Sequence, residues 1–202
     1  MTDDARRYAP SAARNREPIF SVLRPLLPER GIVLEVASGS GEHITGLAQA
    51  GPSALVFQPS DPDPDARHSI DAWTSELGLT NVNPALTLDA ASGAWPIARA
   101  NVMFCINMIH IAPWQATKGL FHGADRILPD DGVVFTYGPY RRGDAHTSPG
   151  NEAFDKDLRQ RNPAWGIRDV EAVAKLAGEC GFAEPEILEM PANNFSLVFR
   201  RR

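Results

Sequence analysis

Strand-length apolar runs alternating with amphipathic helical stretches predict a doubly wound α/β fold, a mostly parallel sheet with helices on both faces. A glycine-rich turn closing the first of these runs points the same way, as does a length of 202 residues with 43% hydrophobic content. That length buries one α/β core without splitting, so a single domain over residues 1–202 is expected.

Ile19, Phe20, Val22, Leu23, Leu26 and Leu27 recur at helical spacing within 11–27, and Pro25 and Pro28 end that helix. Residues 1–28 are therefore expected to form an N-terminal helical cap. GIVLEVA (31–37) is a short apolar run closed by Ser-Gly-Ser-Gly, which reads as a buried strand entering a tight turn. A helix is predicted at 43–50. Apolar runs at 54–58, 83–89, 101–107 and 132–138 supply further strands, with helices at 64–77 and 115–127 between them. Past Gly138 the stretch PYRRGDAHTSPGNEAF is polar and crowded with aromatic, Arg and His residues, which favours an active-site lid over 139–167. Helices at 152–161 and 168–179 follow. The runs FAEPEILEM and NNFSLVFRR, split by Pro191 and Ala192, predict an antiparallel pair at one sheet edge.

A formal net charge of -5 lacks the basic excess of a nucleic-acid binder, so no nucleic-acid partner is expected. The cysteines, Cys105 and Cys180, form neither a disulfide framework nor a zinc-ligand spacing, and no metal is expected. The polar start has no signal-peptide core and no apolar run approaches a membrane span, so the expectation is a cytoplasmic protein without a membrane partner.

The central motif is Glu35-Val36-Ala37-Ser38-Gly39-Ser40-Gly41-Glu42-His43. Gly39 and Gly41 permit a tight turn between strand and helix and let a ligand lie against bare backbone. A dinucleotide site would place a pyrophosphate at the helix start and want Gly or Ala at position 44, which is Ile44, while Glu42 stands where that anion would sit. A cofactor without phosphate fits better, and Glu35 suits a cationic amino-acid group. About twenty residues on, where a ribose-binding acid is expected, the chain reads Gln58-Pro59-Ser60-Asp61-Pro62-Asp63. Asp61 reads either as a ribose acceptor or as a turn residue, and Asp89 as facing an adenine or as a cap.

The stretches SAARNREPI, VLEVASGSGEH, FQPSDPDP, NMIHIAPW, YGPYRR, HTSPGNEAFD, WGIRD and MPANN, spread over nearly the whole chain, resemble the class I S-adenosylmethionine-dependent methyltransferases. More specifically they resemble the family of methyltransferase-like protein 26, also called domain of unknown function 938. The resemblance implies a Rossmann-like, seven-stranded sheet with an antiparallel final strand, S-adenosyl-L-methionine as cofactor, and a methyl transfer. It places Glu35, Ala37, Ser38, Gly39 and Gly41 along the methionine part, Gln58 or Asp61 at the ribose, Asp89 at the adenine, and Asn107 near the methyl group. Ala37 departs from the usual first glycine, and Gln58 stands where the ribose acid is usual.

Residues after the fourth predicted strand would face the methyl acceptor. There His110 reads as a base or positioning residue, or as a packed core histidine, and Trp114 as a pocket wall or a core aromatic. Tyr140 and His146 are further catalytic candidates, and Tyr8, Arg14, Asn15 and Arg142 are candidates for binding an acceptor, with Arg suited to an anion. Tyr137 and Arg141 belong to the same group of lid candidates, and Asn193 and Asn194 read equally as turn or pocket residues. The expected partner is a small-molecule thiol or hydroxyl acceptor. The competing readings are a protein methyltransferase, a non-catalytic binding or regulatory protein on the same fold, and a nicotinamide dehydrogenase, which Glu42 and Ile44 disfavour.

Overall fold

The computed structural model describes residues 5–202. Its strands are β1 (Gly31–Val36), β2 (Leu55–Ser60), β3 (Val102–Ile106), β4 (Val133–Gly138), β5 (Arg141–Arg142), β6 (Ala145–His146), β7 (Glu186–Met190) and β8 (Asn194–Arg200). The helices are α1 (Pro10–Leu23), α2 (Glu42–Ala50), α3 (Pro64–Glu76), α4 (Trp114–Ile127), α5 (Pro149–Arg161) and α6 (Val170–Glu179). Six strands form one sheet in the order β2-β1-β3-β4-β8-β7. The first four run parallel and β8 lies antiparallel to β4. Its antiparallel pairing with β7 is the hairpin expected at the sheet edge.

Successive strand residues point to opposite faces, and both faces are apolar. Leu34, Met103 and Val134 pack with Leu120 and Phe121 of α4 and Val173 of α6, whereas Val33, Phe104 and Phe135 pack with Ile19 and Phe20 of α1 and Ile44 and Leu47 of α2. Burying Ile19, Phe20 and Leu23 contributes about 1.5–3 kcal/mol each, which anchors α1 to the sheet although Pro18 interrupts its hydrogen-bond ladder.

Two expectations are corrected. The run at 83–89 is no regular strand. It lies along β2 through isolated bridges, Phe57 with Val82 and Ser60 with Leu86, because Pro59 and Pro84 carry no N–H to continue the ladder. The stretch 139–167 is also less irregular than expected. It folds into the β5–β6 hairpin and α5, whose start is set by Ser148 accepting from the Asn151 N–H (3.1 Å) and by Pro149 in the first turn.

Two buried histidines tie stability to pH. Burial, with Arg16 repelling a proton, lowers the His43 pKa from 6.5 to about 4. Burial, with Arg168 acting likewise, lowers that of His110 to about 3. Between those values and 6.5 the unfolded chain binds more protons than the folded one. Stability is therefore fully present above pH 6.5 and falls on acidification, by up to about 1.4 kcal/mol per pH unit for each histidine. Denaturant midpoints of His110→Gln measured from pH 4 to 7 are expected to depend less steeply on pH than those of the parent; an equal slope would mean that His110 titrates normally.

Candidate active site

The parallel strands end at one edge of the sheet, the usual ligand edge of such folds. Val36 lies opposite Ser60, so the β1 turn and the β2 loop emerge side by side. Ser38 N–H donates to the Ser60 carbonyl (2.9 Å) and Gly39 N–H to Asp61 Oδ2 (2.9 Å), locking the two together. The two turn glycines do different work. Gly41 (φ 92°) packs against α3, where a Cβ would lie 2.9 Å from the Ile70 Cα. Gly39 (φ 57°) faces open space, with no atom within 4 Å of a built Cβ. Ala37 adopts φ 60° without being glycine, a strain of about 1–2 kcal/mol held at the base of the turn.

Beneath the turn lies Glu35, 1% exposed, with one carboxylate oxygen lacking any partner. Burial pushes its pKa well above the ordinary carboxylate value; Asp61 adds to the rise, while hydrogen bonds from Ser38 and the Ile44 amide oppose it. An unpaired buried acid beside an open glycine turn lacks a cationic donor. The amino-acid end of S-adenosylmethionine is such a donor, and these residues fit it. Glu42 at the first turn of α2 accepts from Ala9 N–H (2.7 Å) and Ser40 Oγ (2.9 Å), placing a carboxylate where a phosphate would otherwise bind.

Residues 7–9 form a strap over this turn and the start of α3. Arg7 N–H donates to Ser69 Oγ (2.8 Å), whose hydroxyl donates to the Ser40 carbonyl (2.8 Å). The Arg7 guanidinium pairs with Asp63 and Asp65 at 3.0 Å, and its hydrogen bond holds the Asp63 carboxyl below its ordinary pKa.

At the same edge of the sheet a cavity of about 640 Å³ opens between α1, α5 and the loops after β3, β4 and β7. Helix α1 lines it with Ser11, Arg14, Asn15 and Pro18, spaced i, i+3, i+4, i+7 on one face. Helix α5 contributes Asn151, Phe154 and Arg161, also on one face, and Asn107, Ile111, Tyr137, Ala192 and Asn194 are among the other wall residues. His43 Nε2 and Asn15 Oδ1 are 2.9 Å apart. With His43 neutral its N–H donates to Asn15, which turns the Asn15 amide N–H toward the Tyr137 hydroxyl. Burial nevertheless raises the Tyr137 pKa, and the Asn15 hydrogen bond only partly offsets this. Asn107 (φ 62°) and Ala192 (φ 59°) are strained non-glycine positions in the wall itself.

The structure separates the remaining sequence candidates from this cavity. His110 is fully buried, accepts from the Arg168 N–H at Nδ1 (3.2 Å), and stacks edge-on against Tyr140 with centroids 4.7 Å apart. A Cβ on Gly138 would collide with its ring, so His110 fills a hole that a glycine leaves. Tyr140 is also fully buried, its hydroxyl 2.6 Å from Thr136 Oγ1. Neither lines the cavity, and both pack as core residues, one of the two readings the sequence left open for His110. His110→Ala is expected to cost about 2–4 kcal/mol of stability while leaving cofactor affinity intact; a turnover loss without a fall in melting temperature would restore it to the chemistry.

His146 lies 3.6 Å from Asp155, a carboxylate also bound to Arg159 and the Ile167 amide, and helps hold α5. Arg142 extends over Phe195 (5.9 Å). Trp114 packs on the core with Arg168 over its ring (5.7 Å). Tyr8 stands against Trp73 of α3 (5.1 Å). Gln58 is spent on structure, donating to the carbonyls of Pro59 and Pro84 and accepting from Asn83; of the two ribose candidates, Asp61 alone meets the glycine turn. Asp89 is exposed and caps a turn through the Ala91 N–H (2.9 Å). Sequence reasoning missed Asn151, Phe154 and Arg161; of these Phe154, an aromatic on the mostly polar helix predicted at 152–161, was the readable signal.

Sheet order and site edge together define a Rossmann-like methyltransferase fold, and solved structures bear this out. An O-methyltransferase family protein from Burkholderia thailandensis matches with TM-score 0.80 at 15% identity, over 95% of this chain and 57% of that one. The pyocyanin biosynthetic protein PhzM matches with TM-score 0.70 at 23% identity, over 96% of this chain and 59% of its own. The SAH-bound form of CalO1, a methyltransferase in calicheamicin biosynthesis, matches with TM-score 0.75 at 14% identity, over 95% and 54%. The likeness is one of fold, and the chain spans less than two thirds of each of these proteins. The model of the DUF938 family, described as protein of unknown function, matches residues 6–201, and the chain belongs to that family.

Proposed function

We propose that this protein is an S-adenosylmethionine-dependent methyltransferase whose acceptor is a small molecule held in the cavity between α1 and α5. The observation that carries the reading is the open left-handed Gly39 beside the buried, unpaired oxygen of Glu35. Likeness of fold to methyltransferases supports it, and the resemblance to methyltransferase-like protein 26 belongs to the same proposal, as does a cytoplasmic setting. Among the described residues no helix is long and apolar enough to cross a membrane.

In this reading Glu35 accepts from the ammonium group, and Ala37, Ser38 and Gly39 bound the methionine part. Gly41 sets the close approach of α3 that shapes the turn. Asp61, both of whose oxygens retain lone pairs beyond those given to Gly39 and Asp63, takes the ribose, and the second oxygen of Asp89 is offered to the adenine. Asn107 marks the passage to the acceptor cavity. When bound, the sulfonium cofactor supplies an activated methyl group. What the chain supplies is alignment and exclusion of water: the strap at 7–9 covers the turn, and the segment 139–167 serves as a lid through α5. Among the described residues no Asp, Glu, His, Lys or Cys lines the cavity, and Tyr137, with its raised pKa, stays protonated and donates a hydrogen bond. Its role is to orient an acceptor that ionises without help.

Tyr137→Phe is expected to lower turnover about tenfold, the worth of one hydrogen bond of about 1.4 kcal/mol, at unchanged affinity for S-adenosylhomocysteine. Incubation with methyl-labelled S-adenosylmethionine and a panel of thiols, acidic phenols and carboxylates tests the function itself. Label transferred to an added acceptor supports it; label found on protein alone, or on nothing, would turn the reading toward a protein acceptor or a binding protein.

A further inference from the structure

We infer that the molecule bound in the α1–α5 cavity is an anion with a flat apolar body, an aryl carboxylate being its simplest form, and that Arg14 and Arg161 hold its charge. Calling that ligand the methyl acceptor rests on the function proposed above, but the anion site stands on the chemistry of the cavity.

The first argument is charge. The chain has 25 acidic against 20 basic residues, yet among the described residues the cavity is lined by two arginines, one from each facing helix, and by no acid. Among the described residues Arg14 forms neither a hydrogen bond nor an ion pair, and it is exposed at the cavity wall. Arg161 meets Asp157 at 3.7 Å, with both side chains 58% exposed, and its guanidinium lies over the Trp165 ring at 5.3 Å, a contact that uses none of its N–H donors. A pair so exposed is worth little and leaves the cation available. Neighbouring arginines are committed elsewhere: Arg168 donates to the carbonyls of Ile109, Ala112 and Ala164, and Arg159 pairs with Asp155. A planar guanidinium with free donors matches a carboxylate in shape as well as charge.

The second argument is the apolar wall. Ile111 and Phe154 are two of the three large hydrophobic side chains left exposed among the described residues, and both line this cavity. Pro18 and Pro139 extend the same surface. Water-facing apolar groups gathered in one concave place mark a ligand surface. The missing base is a third, independent feature: a ligand that arrives already ionised requires none.

Calorimetric titration with benzoate, its neutral isostere benzamide and the cation benzylammonium tests the inference, on the free protein and with S-adenosylhomocysteine present. Benzoate is expected to bind saturably, benzamide at least about tenfold more weakly, and benzylammonium not at all. Arg14→Gln and Arg161→Gln, both surface changes, are each expected to weaken benzoate about five- to tenfold while leaving benzamide unchanged. Equal binding of benzoate and benzamide overturns the inference, as do absent benzoate binding and variants that bind benzoate like the parent. S-adenosylhomocysteine binding in the same samples separates the two claims. Its loss with benzoate discrimination intact removes the methyltransferase reading alone; its presence without discrimination removes the anion site alone.

Discussion

Gly39→Arg is expected to abolish S-adenosylmethionine binding, weakening it by at least about a hundredfold, while the protein still folds. The reason is directional. A side chain at Gly39 enters open space, so it displaces no protein atom but fills the volume the methionine part would need. The left-handed backbone at this position costs any L side chain about 1–2 kcal/mol, which lowers the melting temperature modestly. Gly39→Ala carries that same strain without the bulk, and its affinity is expected to stay within a few-fold of the parent. Calorimetry on both variants separates strain from occlusion, and unchanged affinity in Gly39→Arg would take the turn out of the site.

Glu35→Gln is expected to make the ligand-free protein more stable and the cofactor bind about a hundredfold more weakly, the loss expected for a charge-assisted hydrogen bond in a dry site. The stability effect follows from burial. The folded-state pKa of Glu35 lies above its ordinary value, so the folded protein favours the protonated acid. That contribution is fully present below the unfolded pKa, near 4.5, and is lost as pH rises through the folded value. Glutamine cannot ionise, so the gain is expected to be small at pH 4 and to grow toward pH 8, reaching about 0.5–2 kcal/mol. Denaturant unfolding of parent and variant at both pH values checks this. A variant less stable at pH 8 would show that Glu35 is a satisfied structural acid rather than one waiting for a cation.

Much of this architecture is legible in the chain because it rests on local periodicity. The continuous apolar runs buried at 31–36 and 102–106, the Gly39 and Gly41 turn, and the hairpin about Pro191 each depend on residues near one another in sequence. The failures have a common cause in tertiary context. The run at 83–89 has strand-like residues, but Pro59 and Pro84 cost it the ladder. His110 has the residue type and chain position of a base, and only the bare backbone of Gly138, brought beside it by the sheet, shows that its ring fills the core. Tyr137 and Tyr140 read alike in the sequence; the Thr136 hydroxyl holds Tyr140 in the core beyond the end of β4, whereas Tyr137, on β4 itself, lines the cavity. Arg161 carried no signal of its own, since an exposed arginine on a polar helix looks alike whether it faces solvent or a cavity.

The central claim, that the glycine turn holds a sulfonium cofactor rather than a dinucleotide, is tested most directly by titrating the purified protein in a calorimeter with S-adenosylmethionine, S-adenosylhomocysteine and NADH in parallel. The predicted result is binding of the first two with dissociation constants in the micromolar range and none of the third. Binding of NADH without either sulfur compound would contradict it, and would mean that Glu42, seated at the start of α2 and bonded to Ala9, moves aside for a phosphate.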